Sequence, residues 1–155
     1  MIGKIYVGFP CIGKTTLALN DDKFIDIDSS TMMENPDGMG YEWIRRDGLE
    51  EIYTNVAFSL VRQGYNVFLS SHNLVTKRLK SLGIAFTVIV PSLGMKNAWI
   101  DKANARFLCS ESDKDRRALI RIKEHFNEDV SELLAVKSEK IIIDNENYSL
   151  KGLIR

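Results

Sequence analysis

The sequence Gly8-Phe9-Pro10-Cys11-Ile12-Gly13-Lys14-Thr15 decides the predicted fold class of this chain. It matches the pattern G-x-x-x-x-G-K-[ST] in full, between a β-branched and aromatic run at residues 2–7 and a helical pattern at residues 14–20. Glycines at both ends allow the backbone to curl, so that consecutive N–H groups can point inward at a phosphate. The stretch therefore predicts a strand, an anion-binding loop and a helix in succession.

The same pattern assigns chemical roles to the residues of the loop. We expect the Lys14 ammonium group to reach the outer phosphates of ATP and to be catalytic. We expect the Thr15 hydroxyl group to bind Mg²⁺, which prefers oxygen ligands. The other expected ATP-binding residues are Gly8, Cys11, Ile12, Gly13 and Thr16.

Composition and charge limit the class of protein. The chain has 155 residues, 45% of them apolar, and its 21 Lys and Arg residues balance its 21 Asp and Glu residues. This length and apolar content predict a single domain, residues 1–155, with a sizeable core. The zero net charge argues against a protein that coats nucleic acid, whereas it permits a homodimer.

No membrane-spanning or targeting segment is expected. The longest apolar runs, such as residues 85–90, fall far short of the roughly 20 residues that cross a bilayer. Residues 1–9 lack a small-residue cleavage site and lead directly into the loop. Cys11 and Cys109 fit a reducing compartment, because Cys11 lies within the loop. We therefore expect a cytoplasmic protein with no membrane partner.

Short β-like segments alternate with helical ones along the chain, which predicts a parallel sheet covered by helices. Strands are expected at residues 2–7, 24–28, 66–71, 85–90 and 141–143. Helices are expected at residues 14–20, 47–64, 73–83, 95–108, 112–126 and 127–136. The predicted fold is an α/β three-layer sandwich with a five-stranded, mostly parallel sheet and a helical, lid-like insert at about 93–126.

Polar residues end two of the predicted strands: Asp28 and Ser29 close the second, and Ser71 and His72 follow the third. Ligands of open α/β sheets bind beyond the carboxyl ends of strands, so these residues are candidates for binding a phosphate acceptor. Asp28 is expected to be catalytic and to bind Mg²⁺, because Asp26 lies two residues before the expected strand end. Capping of a turn by Asp28, or of a helix by His72, is the open alternative.

Cations and one aromatic residue gather on the helix expected at residues 95–108. A turn of about 100° per residue puts Trp99, Lys102 and Arg106 on one stripe, with Lys96 nearby. Lys102 and Arg106 are expected to be catalytic cations that stabilise a transferring phosphoryl group. Lys96 and Trp99 are expected to contact the acceptor. The alternative is an ordinary solvated helix face.

A second aromatic and cationic group, Trp43 and Arg45, follows a polar loop. A tryptophan ring and a guanidinium group are suited to stacking on an acceptor nucleotide and clamping it. The alternative is a core tryptophan beside a surface arginine.

In combination these features resemble the small phage-encoded P-loop kinases related to adenylate kinase, usually described as (deoxy)nucleoside monophosphate kinases. The resemblance runs nearly end to end and rests on residues 8–15, 25–30, 70–72 and 90–92, on Lys96 and Trp99, and on the tail around Tyr148. It implies phosphate binding by Gly8, Gly13, Lys14 and Thr15, acceptor binding by Asp28, Ser29 and His72, and lid contacts by Lys96, Lys102 and Arg106. The chain departs from the family at Thr76 and Lys102, where arginines are expected.

The loop and the resemblance together predict a P-loop NTPase that transfers phosphate from ATP to a (deoxy)nucleoside monophosphate, with Mg²⁺ as cofactor. The expected partners are small-molecule nucleotides, and a phage-encoded enzyme would act in the host cytoplasm. One alternative is a polynucleotide 5′-hydroxyl kinase with Asp28 as base. The other is a non-catalytic ATP-binding module, because the third strand ends in Ser71 and not in an aspartate.

Overall fold

Strands and helices alternate along the chain in the computed structural model, which describes residues 2–27, 33–34, 44–45 and 49–154. The strands are β1 (Ile5–Gly8), β2 (Phe24–Asp26), β3 (Met33–Glu34), β4 (Ile44–Arg45), β5 (Asn66–Ser70), β6 (Thr87–Pro91) and β7 (Glu139–Ile143). The helices are α1 (Lys14–Asn20), α2 (Leu49–Arg62), α3 (Asn73–Ser81), α4 (Lys96–Ser110), α5 (Asp113–Ala135) and α6 (Leu150–Ile154), with a 3-10 turn at Leu93–Met95.

The main sheet has five parallel strands in the order β2-β5-β1-β6-β7, and helices cover both of its faces. Val7 of β1 pairs with Leu69 of β5 on one side and with Val88 of β6 on the other. The prediction of an α/β fold with a five-stranded sheet is confirmed, and every strand of that sheet is parallel. β3 and β4 form a separate antiparallel pair.

The core lies on both faces of the three central strands. Val7, Val67 and Val88, one from each of these strands, are completely buried. Buried side chains on both faces of a strand are typical of parallel sheets, because helices cover both faces. The run at residues 85–90, apolar but for Thr87, is typical of a central strand buried on both faces, and β6 does lie between β1 and β7.

The second half of the chain differs from the prediction of two helices at residues 112–126 and 127–136. One continuous helix, α5, spans Asp113–Ala135. Its buried residues Ile122, Phe126 and Val130 continue at helical spacing across the expected break. The break was expected at Asn127 because asparagine favours cap positions, and burial of this stripe outweighs that preference. Ser112 and Asp115 form a capping-box pattern in the sequence, and Ser112 does cap the helix: its Oγ accepts a hydrogen bond from the N–H of Asp115 at 3.1 Å.

Two details of the helices differ from the local pattern. Asn73 could cap the helix that follows the third predicted strand, but His72 caps α3, which confirms the alternative role given above for this residue. Its Nδ1 accepts a hydrogen bond from the N–H of Leu74 at 3.2 Å. In α2 the spacing of apolar residues places Val56 on one face with Tyr53. Tyr53 is buried as this spacing predicts, but Val56 is 41% exposed, and Ala57 is buried instead.

The predicted insert at residues 93–126 contributes to the core. Trp99 and Ala103 of α4, and Leu119 and Ile122 of α5, are buried in the same cluster as the central strands. The two helices pack against each other, and α5 packs against β6. None of the helices in the described part of the chain combines the length and the apolar character that a membrane-spanning segment needs.

Candidate functional site

The loop at residues 8–15 leaves the carboxyl end of the central strand β1, between β5 and β6. The chain passes from β1 to one side of the sheet through α1 and β2, and later crosses to the other side at β6. Such a reversal of strand order leaves a crevice beyond the carboxyl ends, where ligands of open α/β sheets bind. A cavity of about 1110 Å³ lies here, between the loop, α3 and α5.

The Lys14 side chain folds back over the start of the loop. Its Nζ donates a hydrogen bond to the carbonyl oxygen of Gly8 at 3.0 Å. A Cβ atom at position 8 would lie 2.6 Å from Ile12 Cδ1 and 2.9 Å from Lys14 Cδ, so glycine leaves room for the lysine. Gly13 has φ of 104°, a value that side chains disfavour. Both glycines of the sequence pattern therefore have a structural cause.

Positive charge gathers around Lys14. Burial lowers the pKa of the Lys14 ammonium group, the Asp26 carboxylate opposes this effect, and the Arg106 and Lys114 cations add to it. Arg106 and Lys114 also line the cavity. An anion bound at the loop would relieve the repulsion among these cations, so the electrostatics favour a phosphate-like ligand.

Asp26 is the carboxylate that the structure brings to the loop. Its Oδ2 accepts a hydrogen bond from the Thr15 hydroxyl group at 2.9 Å. β2 ends at Asp26, two residues earlier than expected, so Asp26 occupies the strand-end position that the sequence assigned to Asp28. In the sequence, Asp26 and Asp28 alternate with apolar residues and therefore lie on the same face of a strand. This alternation was the signal that could have indicated Asp26.

The oxygen atoms of Thr15 and Asp26 are suited to Mg²⁺, which is usually held by one or two carboxylates together with substrate phosphates. Within the described ranges, no group of three or more His, Cys, Asp and Glu side chains is arranged to hold a metal ion. A magnesium ion that arrives with a nucleotide fits this pair better than a metal held by protein ligands alone.

Trp99 is completely buried, so it has no exposed ring to stack on an acceptor, and this prediction is corrected. Its Nε1–H donates a hydrogen bond to the carbonyl oxygen of Pro10 at 2.8 Å. Tyr148 stacks on the Trp99 ring with centroids 6.1 Å apart, and its hydroxyl group donates to the carbonyl oxygen of Ile12 at 2.7 Å. The gain from burying the large apolar ring of Trp99 outweighs the stacking role that its position among the cations of α4 suggests.

The two expected catalytic cations of α4 have different surroundings. Lys102 Nζ lies 5.0 Å from the centroid of the Trp99 ring and 4.6 Å from that of Tyr148. Arg106 forms an ion pair with Asp115, Nε to Oδ1 3.1 Å, and interacts with the Cys11 thiol group. Arg106 lines the cavity, whereas Lys102 is not among the described residues of the cavity wall.

The acceptor-side residues are only partly described. Ser71 and His72 line the cavity, but Lys96 and Trp99 are not among the described lining residues. Tyr53 joins the two strand ends here, since its hydroxyl group donates to the Ile27 carbonyl at 2.8 Å and accepts from the Ser70 N–H at 2.9 Å. Asp28, Ser29 and Trp43 lie outside the described residues, and the side chain of Arg45 does too.

No protein-family model matches the chain, and a comparison with curated protein sequences finds no match.

Proposed function

We propose that this chain is a P-loop phosphotransferase that moves the terminal phosphoryl group of ATP to a (deoxy)nucleoside monophosphate, giving the diphosphate and ADP. The observation that carries the proposal is the arrangement at the loop. Lys14 folds over Gly8, and the Thr15 hydroxyl group donates to the Asp26 carboxylate at 2.9 Å, in the wall of a large cavity that Arg106 and Lys114 also line.

The donor side follows from these contacts. The loop backbone and Lys14 would bind the β- and γ-phosphates of ATP, as the sequence pattern implies. Thr15 and Asp26 would hold Mg²⁺, which would neutralise part of the charge of the phosphates. The Lys14 ammonium group would then donate to phosphate oxygens and no longer to the Gly8 carbonyl oxygen, so it would gain a partner of full opposite charge.

Transfer then requires positioning and charge stabilisation. A phosphate oxygen of the acceptor attacks the γ-phosphorus, and the bond to the β,γ-bridging oxygen breaks, so that ADP leaves with those electrons. Arg106, which pairs with Asp115 and lines the cavity, would stabilise charge that develops on the transferring group. No covalent intermediate on the protein is needed.

The acceptor would occupy the part of the cavity lined by Ser71 and His72. The cavity volume of about 1110 Å³ lies just above the roughly 300–1000 Å³ that is usual for one ligand, so the cavity extends beyond the loop toward these two residues.

The test is ADP release from ATP and Mg²⁺ with each of the common ribo- and deoxyribonucleoside monophosphates. A 5′-hydroxyl oligonucleotide and a reaction without acceptor run beside them. Stimulation by one or a few monophosphates supports the proposal and identifies the substrate. Stimulation by the oligonucleotide alone would replace it with polynucleotide 5′-hydroxyl kinase activity, and ATP binding without any transfer would leave a non-catalytic module.

A further inference from the structure

Two hydrogen bonds from distant side chains hold the loop after β1. Trp99 Nε1–H donates to the carbonyl oxygen of Pro10 at 2.8 Å, and the Tyr148 hydroxyl group donates to that of Ile12 at 2.7 Å. The donors lie 89 and 136 residues further along the chain. Neither bond is a product of the local sequence of the loop.

The direction of a carbonyl group determines that of the N–H in the same peptide unit. In a planar trans peptide the C=O and N–H bonds point in opposite directions, and the described chain contains no cis peptide bond. The bond to Trp99 therefore turns the N–H of Cys11 away from Trp99, and the bond to Tyr148 does the same for Gly13. These two residues have φ of 66° and 104°, which suits a concave group of N–H donors for an anion.

The donors are themselves held in place. The rings of Trp99 and Tyr148 are nearly parallel, at 9°, and Lys102 lies against both of them. Lys102 Nζ also donates to the Tyr148 hydroxyl oxygen at 3.3 Å. Burial raises the pKa of Tyr148 to about 12, so its hydroxyl group keeps the proton that it donates to Ile12.

We propose that Trp99 and Tyr148, bridged by Lys102, are positioning residues that orient the backbone at residues 10–13 toward the phosphates of a nucleotide. The segment before α6 is then part of the nucleotide site, although it is remote in sequence. This inference rests on the proposed function, because it requires phosphate at the loop. Lys102 accordingly acts through the loop and not at the transferring phosphoryl group.

The first test compares Tyr148→Phe with Tyr65→Phe. The first substitution removes the hydroxyl group and keeps the stacked ring. The second makes the same change at an exposed residue just before β5, at the amino ends of the strands and therefore away from the loop. Loss of one hydrogen bond predicts a KM and a Kd for Mg²⁺-ATP about three- to tenfold higher in Tyr148→Phe. The KM for the acceptor and all constants of Tyr65→Phe should stay within twofold of wild type.

The second readout needs no nucleotide. Cys11 lies between the two held carbonyl groups, and burial raises the pKa of its thiol, so it should react slowly with iodoacetamide in the free protein. Peptide mass spectrometry separates its alkylation from that of the exposed Cys109. The rate at Cys11 should rise at least threefold in Tyr148→Phe and in Trp99→Phe, and should not change in Tyr65→Phe.

The outcomes separate the two proposals. A Tyr148→Phe protein with wild-type ATP constants overturns the positioning role, whatever its Cys11 rate, and leaves the phosphotransferase proposal standing. Weaker ATP binding without faster Cys11 alkylation also overturns it, because the loop would then not have been released. A wild-type protein that neither binds nor consumes Mg²⁺-ATP overturns the proposed function and this inference with it.

Discussion

The hydroxyl group of Thr15 donates a hydrogen bond of 2.9 Å to the carboxylate of Asp26. Thr15 is the second residue of α1, and Asp26 is the last residue of β2. The bond therefore joins the start of α1 to the end of β2, at the carboxyl edge of the sheet. The pair places a hydroxyl oxygen and a carboxylate oxygen side by side near Lys14.

Asp26→Asn should lower kcat/KM with Mg²⁺-ATP on the order of a hundredfold, because the amide lacks the negative charge that holds the cation. The amide oxygen still accepts the Thr15 hydrogen bond, so thermal unfolding should change little. Asp28→Asn is the matched variant. Steady-state kinetics that show the larger loss in Asp28→Asn would return the metal role to Asp28.

Lys14→Met should reduce turnover by at least about a hundredfold, since it removes the cation expected at the outer phosphates. Burial lowers the pKa of Lys14 in the folded state below its ordinary value of 10.5. Between these two pKa values the unfolded chain binds more protons than the folded chain, so the free energy of unfolding rises with pH there. Below this pH range, the charged Lys14 lowers the free energy of unfolding. Urea unfolding at neutral pH should therefore give a free energy equal to or higher than that of wild type. A clear loss of stability would contradict this account, and Lys123→Met on the exposed face of α5 is the control.

Gly8→Ala should weaken Mg²⁺-ATP binding, because the new Cβ would lie 2.9 Å from Lys14 Cδ and displace that side chain. The contacts are with flexible side-chain atoms, so the cost in unfolding free energy should be moderate, about 1–3 kcal/mol. Gly94→Ala adds the same methyl group where no atom lies within 4 Å. Calorimetric titration should show weaker binding in the first variant only.

Tyr148 should make stability depend on pH in the alkaline range. Burial raises its pKa from 10.0 to about 12, so the folded state keeps a proton that the unfolded state loses. This stabilisation is complete below pH 10 and is lost as the pH rises through 12. In urea titrations, Tyr148→Phe should flatten the fall of unfolding free energy above pH 10, whereas Tyr65→Phe should not. Burial also raises the pKa of Tyr6, so part of the fall in unfolding free energy with pH should remain in both variants.

Local pattern was sufficient for the succession of strand, loop and helix at residues 5–20 and for most strands of the main sheet. The bounds of α1 agree with the prediction, and β1, β5, β6 and β7 lie where β-branched and apolar runs were found. Element ends were less predictable. Whether β2 ends at Asp26 or at Asp28 depends on how far β2 pairs with β5. The alternation of side chains within β2 does not predict the extent of that pairing.

The sequence by itself determined the glycine positions, the loop lysine and the order along the chain of the five strands of the main sheet, because these depend on backbone conformation and on neighbours a few residues away. Only the tertiary structure decided that Asp26 meets Thr15, that Trp99 is buried, and that Tyr148 supports the loop. The physical reason is that a hydrogen bond across 136 residues leaves no periodic trace in the chain. Its partners become neighbours only when the sheet and its covering helices have packed.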